Sequence, residues 1–268
     1  MSEPTVETPA PTALEVRNIS LSFKGVKAIS DLSFRVAQGE ICALIGPNGA
    51  GKSSLLNILN GVYTPDAGEI IFEGQPFSRM RPGDAAHRGI ARGFQNNALF
   101  AALTVEDNVI SGLARLSKVT AIEEALSLPR ARAEQAEFRR LAARVLTLLD
   151  LQRYASSIAG TLPYGVQKRV ELARALVAGP RILLLDEPLA GMNRQEKEEM
   201  AEIISRLNRD LGLTIVLIEH DLGIVLKLAS HVVVLDYGRK LADGPAESIR
   251  DNPEVIAAYI GKDLGEAA

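Results

Sequence analysis

From Leu14 to Val36 short apolar runs alternate with polar breaks, as in Leu14-Glu15-Val16 and Leu32-Ser33-Phe34-Arg35-Val36. A period of two marks strands, and Lys24-Gly25 and Gln38-Gly39 supply turns, so this stretch predicts antiparallel pairing. Glu40 to Ile45 is nearly continuous in apolar residues, the pattern of a strand buried on both faces. Leu55 to Leu59 predicts a helix, and Glu69 to Phe72 a short strand that stops at Glu73-Gly74. Between about Leu103 and Leu162 the period lengthens. Phe138, Leu141, Val145 and Leu148 are spaced three, four and three apart, which sets them on one helical face, with Arg139, Arg140 and Arg144 on the solvated side. Strand and helix then alternate: Arg181 to Asp186, a helix from Glu196 to Leu211 with Met200, Ile203, Ile204 and Leu207 inward, then Thr214 to Ile218 and His231 to Leu235. The expected fold is α/β, with a mostly parallel sheet, an antiparallel β subdomain and an inserted helical subdomain over about 97–178. One domain over 13–262 is expected, flanked by tails at 1–12 and 263–268.

Composition narrows the classes without choosing among them. The chain has 268 residues, 47% hydrophobic and 24% charged, enough apolar surface for a sizeable core. A net charge of -3 argues against a nucleic-acid surface, which needs a basic excess to displace phosphate counterions. The lone cysteine, Cys42, excludes an intrachain disulfide and a cysteine zinc cage, and its place between Ile41 and Ala43 predicts a core position. Met1 to Thr12 carries two acids, three prolines and no basic residue, so a disordered acidic tail is expected rather than a secretion signal. No stretch reaches the roughly 18 consecutive apolar residues that cross a bilayer. Work at a membrane would require another chain to supply the span.

Gly46-Pro47-Asn48-Gly49-Ala50-Gly51-Lys52-Ser53 fits G-x-x-x-x-G-K-[ST], with a buried strand before it and a helix after it. Such a loop curls its backbone N–H groups, those of Asn48 to Ser54, around a triphosphate at a helix N-terminus. Lys52 would reach the outer phosphates and the Ser53 hydroxyl would ligate Mg²⁺. A second motif, Ile182-Leu183-Leu184-Leu185-Asp186-Glu187-Pro188, brings two carboxylates to the C-terminal end of a buried strand, where α/β sheets bind ligands. Adjacent residues there point different ways. Asp186 is expected on the metal side and Glu187 beside an attacking water. Together the motifs define a P-loop NTPase core.

The order of the remaining parts resembles the ATP-binding subunit of an ABC transporter over about Leu14 to Ile260. The resemblance assigns Gln95, in Phe94-Gln95-Asn96, to Mg²⁺ and to the face toward the membrane subunits. It makes His220, in Ile218-Glu219-His220-Asp221, the contact to the γ-phosphate, and Phe23 the ring that stacks on adenine. Leu162-Pro163-Tyr164-Gly165-Val166-Gln167-Lys168-Arg169 is similar to the family's Leu-Ser-Gly-Gly-Gln segment, which caps the ATP of the opposite subunit. Pro163 replaces its serine, so the hydroxyl is absent, and Tyr164 replaces its first glycine; the segment Pro163, Tyr164 and Gly165 would cap that ATP through backbone N–H groups of Gly165 and the helix starting there. Asn193 stands where the family commonly has Asp. This form of the segment, with Asn252-Pro253-Glu254-Val255-Ile256-Ala257-Ala258-Tyr259-Ile260-Gly261, resembles the branched-chain amino acid importer group, and the longer of its two ATP-binding subunits.

The resemblance implies an ATPase, with Glu187 as base and Lys52 and His220 on the phosphates. It works at the cytoplasmic face of the plasma membrane beside two transmembrane permease subunits and a second, different ATP-binding subunit, a homodimer remaining open. A solute-binding protein is an indirect partner and nucleic acid is not one. The group also includes importers of urea, amides and aromatic acids. The alternatives are a soluble ABC-type ATPase acting on ribosome or DNA, a P-loop phosphotransferase, and a non-hydrolytic binding subunit.

Overall fold

The computed structural model describes residues 11–77, 81–93 and 99–263. Gln95, most of the acidic tail and residues 264–268 lie outside them. In chain order the elements are β1 (Thr12–Phe23), β2 (Val26–Ala37), β3 (Ile41–Ile45), α1 (Lys52–Leu59), β4 (Ala67–Phe72), β5 (Gln75–Phe77), α2 (Pro82–His87) and β6 (Ile90–Gly93). The helices α3 (Val105–Ser111), α4 (Ala121–Ala125), α5 (Pro129–Leu148) and α6 (Tyr164–Leu176) follow. The chain ends with β7 (Ile182–Asp186), α7 (Arg194–Leu211), β8 (Thr214–Ile218), α8 (Leu222–Leu228), β9 (His231–Asp236), β10 (Arg239–Pro245), α9 (Ala246–Arg250) and α10 (Pro253–Asp263).

Two sheets result. An antiparallel sheet has the order β2-β1-β4-β5, and a larger one the order β10-β9-β3-β8-β7-β6. The larger sheet is parallel except for β10, which runs against β9. Both of its faces are covered. Ala43, Leu183, Leu185, Ile215, Leu217 and Val232 face a core built with α3, α5, α6 and α7. Their alternates Cys42, Leu44, Leu184, Val216 and Val233 face a second core shared with α1 and the antiparallel sheet. Burial of both alternations is why β3, β7 and β8 read as unbroken apolar runs.

One helical face differs from the sequence expectation. In α5 Val145 is buried and Phe138 and Leu141 are packed at the edge of the core, but Leu148 is 36% exposed. Ala142 and Leu146 are buried instead. The stripe is rotated because Ala142 is small enough to lie at the contact, a weight that a pattern of large residues alone misses. The face of α7 is as expected, with Met200, Ile203, Ile204 and Leu207 buried. The short strands β5 and β6 carry too few residues to announce a period, and β10, Arg239–Pro245, is largely polar and has no buried residue to mark one.

At the end of the sheet where β3 and β9 begin, charges tie three strands together. His231 Nε2 lies 2.7 Å from Asp243 Oδ1, and its Nδ1 3.5 Å from Glu40 Oε2. Lys240 Nζ donates to Asp243 Oδ2 at 2.7 Å. Asp243, with the neighbouring Cys42 and Glu40, pushes the His231 pKa from 6.5 up to about 12. Glu40 and Asp243 are both lowered: burial, the largest single influence, raises each, and it is outweighed by His231 together with the Ala37 N–H for Glu40 and with Lys240 for Asp243. A base raised on folding stabilises fully below its unfolded value and loses that contribution as pH rises through its folded value. The stabilisation from His231 is therefore complete at pH 6 and declines steadily above 6.5 toward about 12. Below about pH 4 it also fails, because the carboxylates protonate. His231→Gln should lower the denaturation midpoint most near pH 5–6 and least at pH 10, measured by thermal melts across pH; a gap that widens with pH would refute the assignment.

Candidate nucleotide-binding site

Three adjacent strands, β3, β8 and β7, end level with one another, since Leu44 pairs with Ile218 and Ile218 with Asp186. Their C-terminal ends lead into the phosphate loop, the Asp186–Glu187 pair and the Glu219–His220 pair. After β3 the chain turns through Gly46, at φ 142°, and Gly51, at φ 100°. A Cβ on Gly46 would overlap the Leu235 carbonyl, and one on Gly51 would lie 2.6 Å from the Ala28 carbonyl oxygen. Only glycine fits at either point. The Gly238 N–H clasps the loop through the Ala50 carbonyl at 3.1 Å. Lys52, at the first turn of α1, is 6% exposed and donates to the Gly46 and Pro47 carbonyls at 2.5 and 2.9 Å. A cleft of about 200 Å³ opens over this loop, lined by Ala28, Asn48 to Ser54, Glu187 and His220.

The two carboxylates after β7 diverge as expected. Asp186 stays in strand geometry and is 2% exposed. Glu187 takes a left-handed backbone, φ 49°, held by its N–H to the Ile218 carbonyl at 3.0 Å. For a residue with a Cβ this conformation costs about 1–2 kcal/mol. It turns Glu187 into the cleft, where Oε1 meets His220 Nε2 at 2.7 Å. Asp186 Oδ2 instead accepts from Arg92 Nη2 at 2.7 Å, and its Oδ1 is buried without a hydrogen-bond partner among the described residues. An unsatisfied carboxylate oxygen at the strand end suits a hard divalent cation.

The residues expected in the site divide into those that meet and those that do not. Asn48 to Ser54, Glu187 and His220 share the cleft. Gly46 lies behind it, and Phe23 stands at the end of β1, 42% exposed and edge-on to Tyr63 at 5.1 Å. Pro163 occupies the N-cap of α6, away from the cleft. Tyr164 hydroxyl donates to the Ala190 carbonyl at 3.1 Å, and its ring fills the space beside Gly191. Gly165 is buried against Glu196. Asn193 caps α7, accepting from the Glu196 N–H while Glu196 bonds back, so the Asn does the capping work an Asp would do.

Two residues were missed. Arg92 on β6 reaches both Asp186 and Asn57, and a charged residue in a four-residue strand gives no signal of its own. Glu219 is 5% exposed, accepting from the Leu189 N–H at 2.9 Å and the His220 N–H at 3.3 Å. Burial holds its carboxyl above the usual range. An acid directly after a wholly buried strand was the signal that could have found it.

The ABC transporter family model matches residues 29–190, and the model for the branched-chain amino acid ATP-binding cassette transporter matches 239–264. This chain belongs to the ATP-binding subunits of ABC transporters. It is 37% identical to the high-affinity branched-chain amino acid transport ATP-binding protein BraF of Pseudomonas aeruginosa, over 93% of this chain and 98% of that one. LivG of Escherichia coli K12, with the same described role, matches at the same identity and coverage. A crystal structure of an ABC transporter ATP-binding cassette in its ADP conformation superposes with a TM-score of 0.82 at 30% identity, covering 93% of this chain and 99% of that one. A nucleotide-free cassette gives 0.82 at 29% identity, with 92% and 98% covered. The expected fold, the ATPase class and the subfamily drawn from the C-terminal segment all hold. ATP is the ligand of the family, and such subunits of import systems work with transmembrane permeases. Among the described residues no helix is long and apolar enough to cross a membrane.

In this cassette Glu219 braces the turn that aims Glu187. Glu219→Ala leaves the Leu189 N–H unsatisfied, which costs about 1–3 kcal/mol. Glu219→Gln keeps one oxygen for the Leu189 N–H and loses the acceptor at the His220 N–H. The Ala variant should melt lower and hydrolyse ATP more slowly, while the Gln variant should melt between it and the parent. Equal melting of the Ala variant and the parent would remove the bracing role.

Proposed function

We propose that this subunit drives import of a branched-chain amino acid, or of a related small polar or aromatic solute, through hydrolysis of ATP held between two ATP-binding subunits. The Glu187–His220 contact over the phosphate-binding loop carries this reading. The Glu187 carboxylate faces the cleft with Oε1 2.7 Å from His220 Nε2, which supports its use as the base that takes the proton of a water attacking the terminal phosphate. Lys52 exchanges its two loop carbonyls for phosphate oxygens, and the N–H groups of residues 48–54 receive the rest of the charge. Ser53, Asp186 and Gln95 would hold Mg²⁺, which when bound offsets the charge of the phosphates. Phe23 would take the adenine by stacking.

Pro163, Tyr164 and Gly165 lie outside this chain's cleft, which supports their use on the ATP of a second subunit in a head-to-tail pair. In the importer group that second subunit is a different chain. A groove of about 680 Å³ lies among residues of β6, α3 and α6, with Phe100 and Arg174 on its wall, and offers a permease segment a place to dock. Cytoplasmic, peripheral attachment to the membrane follows from such docking, and an associated solute-binding protein would select the cargo.

Glu187→Gln should retain ATP binding and lose on the order of 10²–10⁴-fold in turnover; retained hydrolysis would remove Glu187 as base. Tagged protein from detergent-solubilised membranes should recover two hydrophobic subunits and a second ATPase. Recovery of ribosomal or DNA-bound proteins without them would overturn the transport reading and leave the ATP site intact.

A further inference from the structure

The carboxylate expected to serve the metal is already engaged by a cation of this chain. Arg92 Nη2 donates to Asp186 Oδ2 at 2.7 Å, with the two side chains 13% and 1% exposed. Arg92 Nη1 is anchored on Asn57 Oδ1 at 2.5 Å, so the guanidinium spans from β6 to α1 across the end of β7. The pairing is incomplete on both sides. Among the described residues, Asp186 Oδ1 and Arg92 Nε are buried with no hydrogen-bond partner. A carboxylate so deeply buried needs a positive charge beside it. An unsatisfied oxygen and an unsatisfied nitrogen mark a contact that has not used its full bonding capacity.

We propose that Arg92 is a positioning residue, a resident counterion that stabilises Asp186 without metal and yields to the divalent cation that arrives with ATP. The inference rests on Asp186 serving that metal. Two cations cannot share one buried carboxylate without repelling each other, so Arg92 weakens the metal's hold, and by linkage the metal weakens the hold of Arg92. The message has a direction. Arg92 pairs with Leu184 along β6 and lines the groove that Glu171 of α6 also lines. Metal occupancy thus acts on the strand at the margin between the sheet and the helical region.

The test is the ratio of nucleotide dissociation constants measured in EDTA and in Mn²⁺, using a non-hydrolysable ATP analogue and the full chain. Arg92→Met should raise that ratio by about tenfold over the parent, a typical size for coupling between sites. Arg92→Lys, which restores a charge, should return it to within about threefold. A purely structural role predicts the opposite sign, weaker metal-dependent binding in Arg92→Met, and that result or an unchanged ratio would overturn the proposal. A parent ratio near one would remove Asp186 as a metal residue and the proposal with it. Should Arg92→Met fail to fold, the Arg92 Nε–H resonance of the parent decides. It should shift on adding Mg²⁺ to the analogue complex, and a resonance unmoved relative to EDTA would overturn the proposal.

Discussion

Strands β3, β8 and β7 are buried on both faces, and each pairs in register with the next, so none can slide or tilt without exposing apolar side chains of two cores at once. At roughly 25 cal/mol per Å² of apolar surface, a shift of one residue in any of them is prohibitive. Their C-terminal ends are consequently a fixed platform. The phosphate loop, the Asp186–Glu187 pair and the Glu219–His220 pair leave that platform side by side. Their mutual distances are set by strand spacing rather than by the loops themselves.

A rigid platform makes it affordable to bury charge. Lys52, Asp186, Glu219 and the Lys168–Glu171 pair are all nearly inaccessible, and all lie within or beside the ends of the sheet. Removing one partner of such a pair costs about 3–5 kcal/mol, because the other charge is left in a medium that cannot solvate it. Each group is therefore held by specific partners: Lys52 donates to loop carbonyls, Asp186 accepts from Arg92, and Glu219 accepts from two backbone N–H groups. These arrangements serve the chain before any ligand arrives. They also define what the ligand must exchange, since phosphate and metal compete with contacts already made. The left-handed backbone of Glu187 belongs to the same logic, a local strain sustained by β8 through the Ile218 carbonyl.

What was legible in the sequence follows this division. Groups placed by the backbone could be read, because glycines, an apolar run and its terminal acids have a fixed order along the chain. Lys52, Ser53, Glu187 and His220 come together as that order implies. Groups placed by side chains reaching across elements could not. Arg92 touches Asp186 over a separation of 94 residues, and β6 is too short for a period to reveal which way Arg92 points. The rotated face of α5 has the same origin: the contact is decided by Ala142, whose small size matters only against a particular neighbour. Glu219 lies between the two, readable as an acid at a strand end but not as the brace of the neighbouring turn.

The segment at the start of α6 shows how a departure in sequence can be a change of fastening. A tyrosine in place of a glycine adds a large side chain to a place where the family has none. Here that side chain lies across the loop after β7, with its hydroxyl on the Ala190 carbonyl and its ring in the space that the missing side chain of Gly191 leaves open. Lys168 stands 5.7 Å from the ring centroid and pairs with Glu171 one turn on. Asn193 closes the same loop by capping α7, and Glu196, its capping partner, lies under Gly165. The Tyr164–Ala190 and Gly165–Glu196 contacts thus fasten the head of α6 to the loop that leaves Glu187. A serine hydroxyl is lost at Pro163. In exchange, the segment is tied within its own chain to the loop that follows the carboxylate expected to perform hydrolysis.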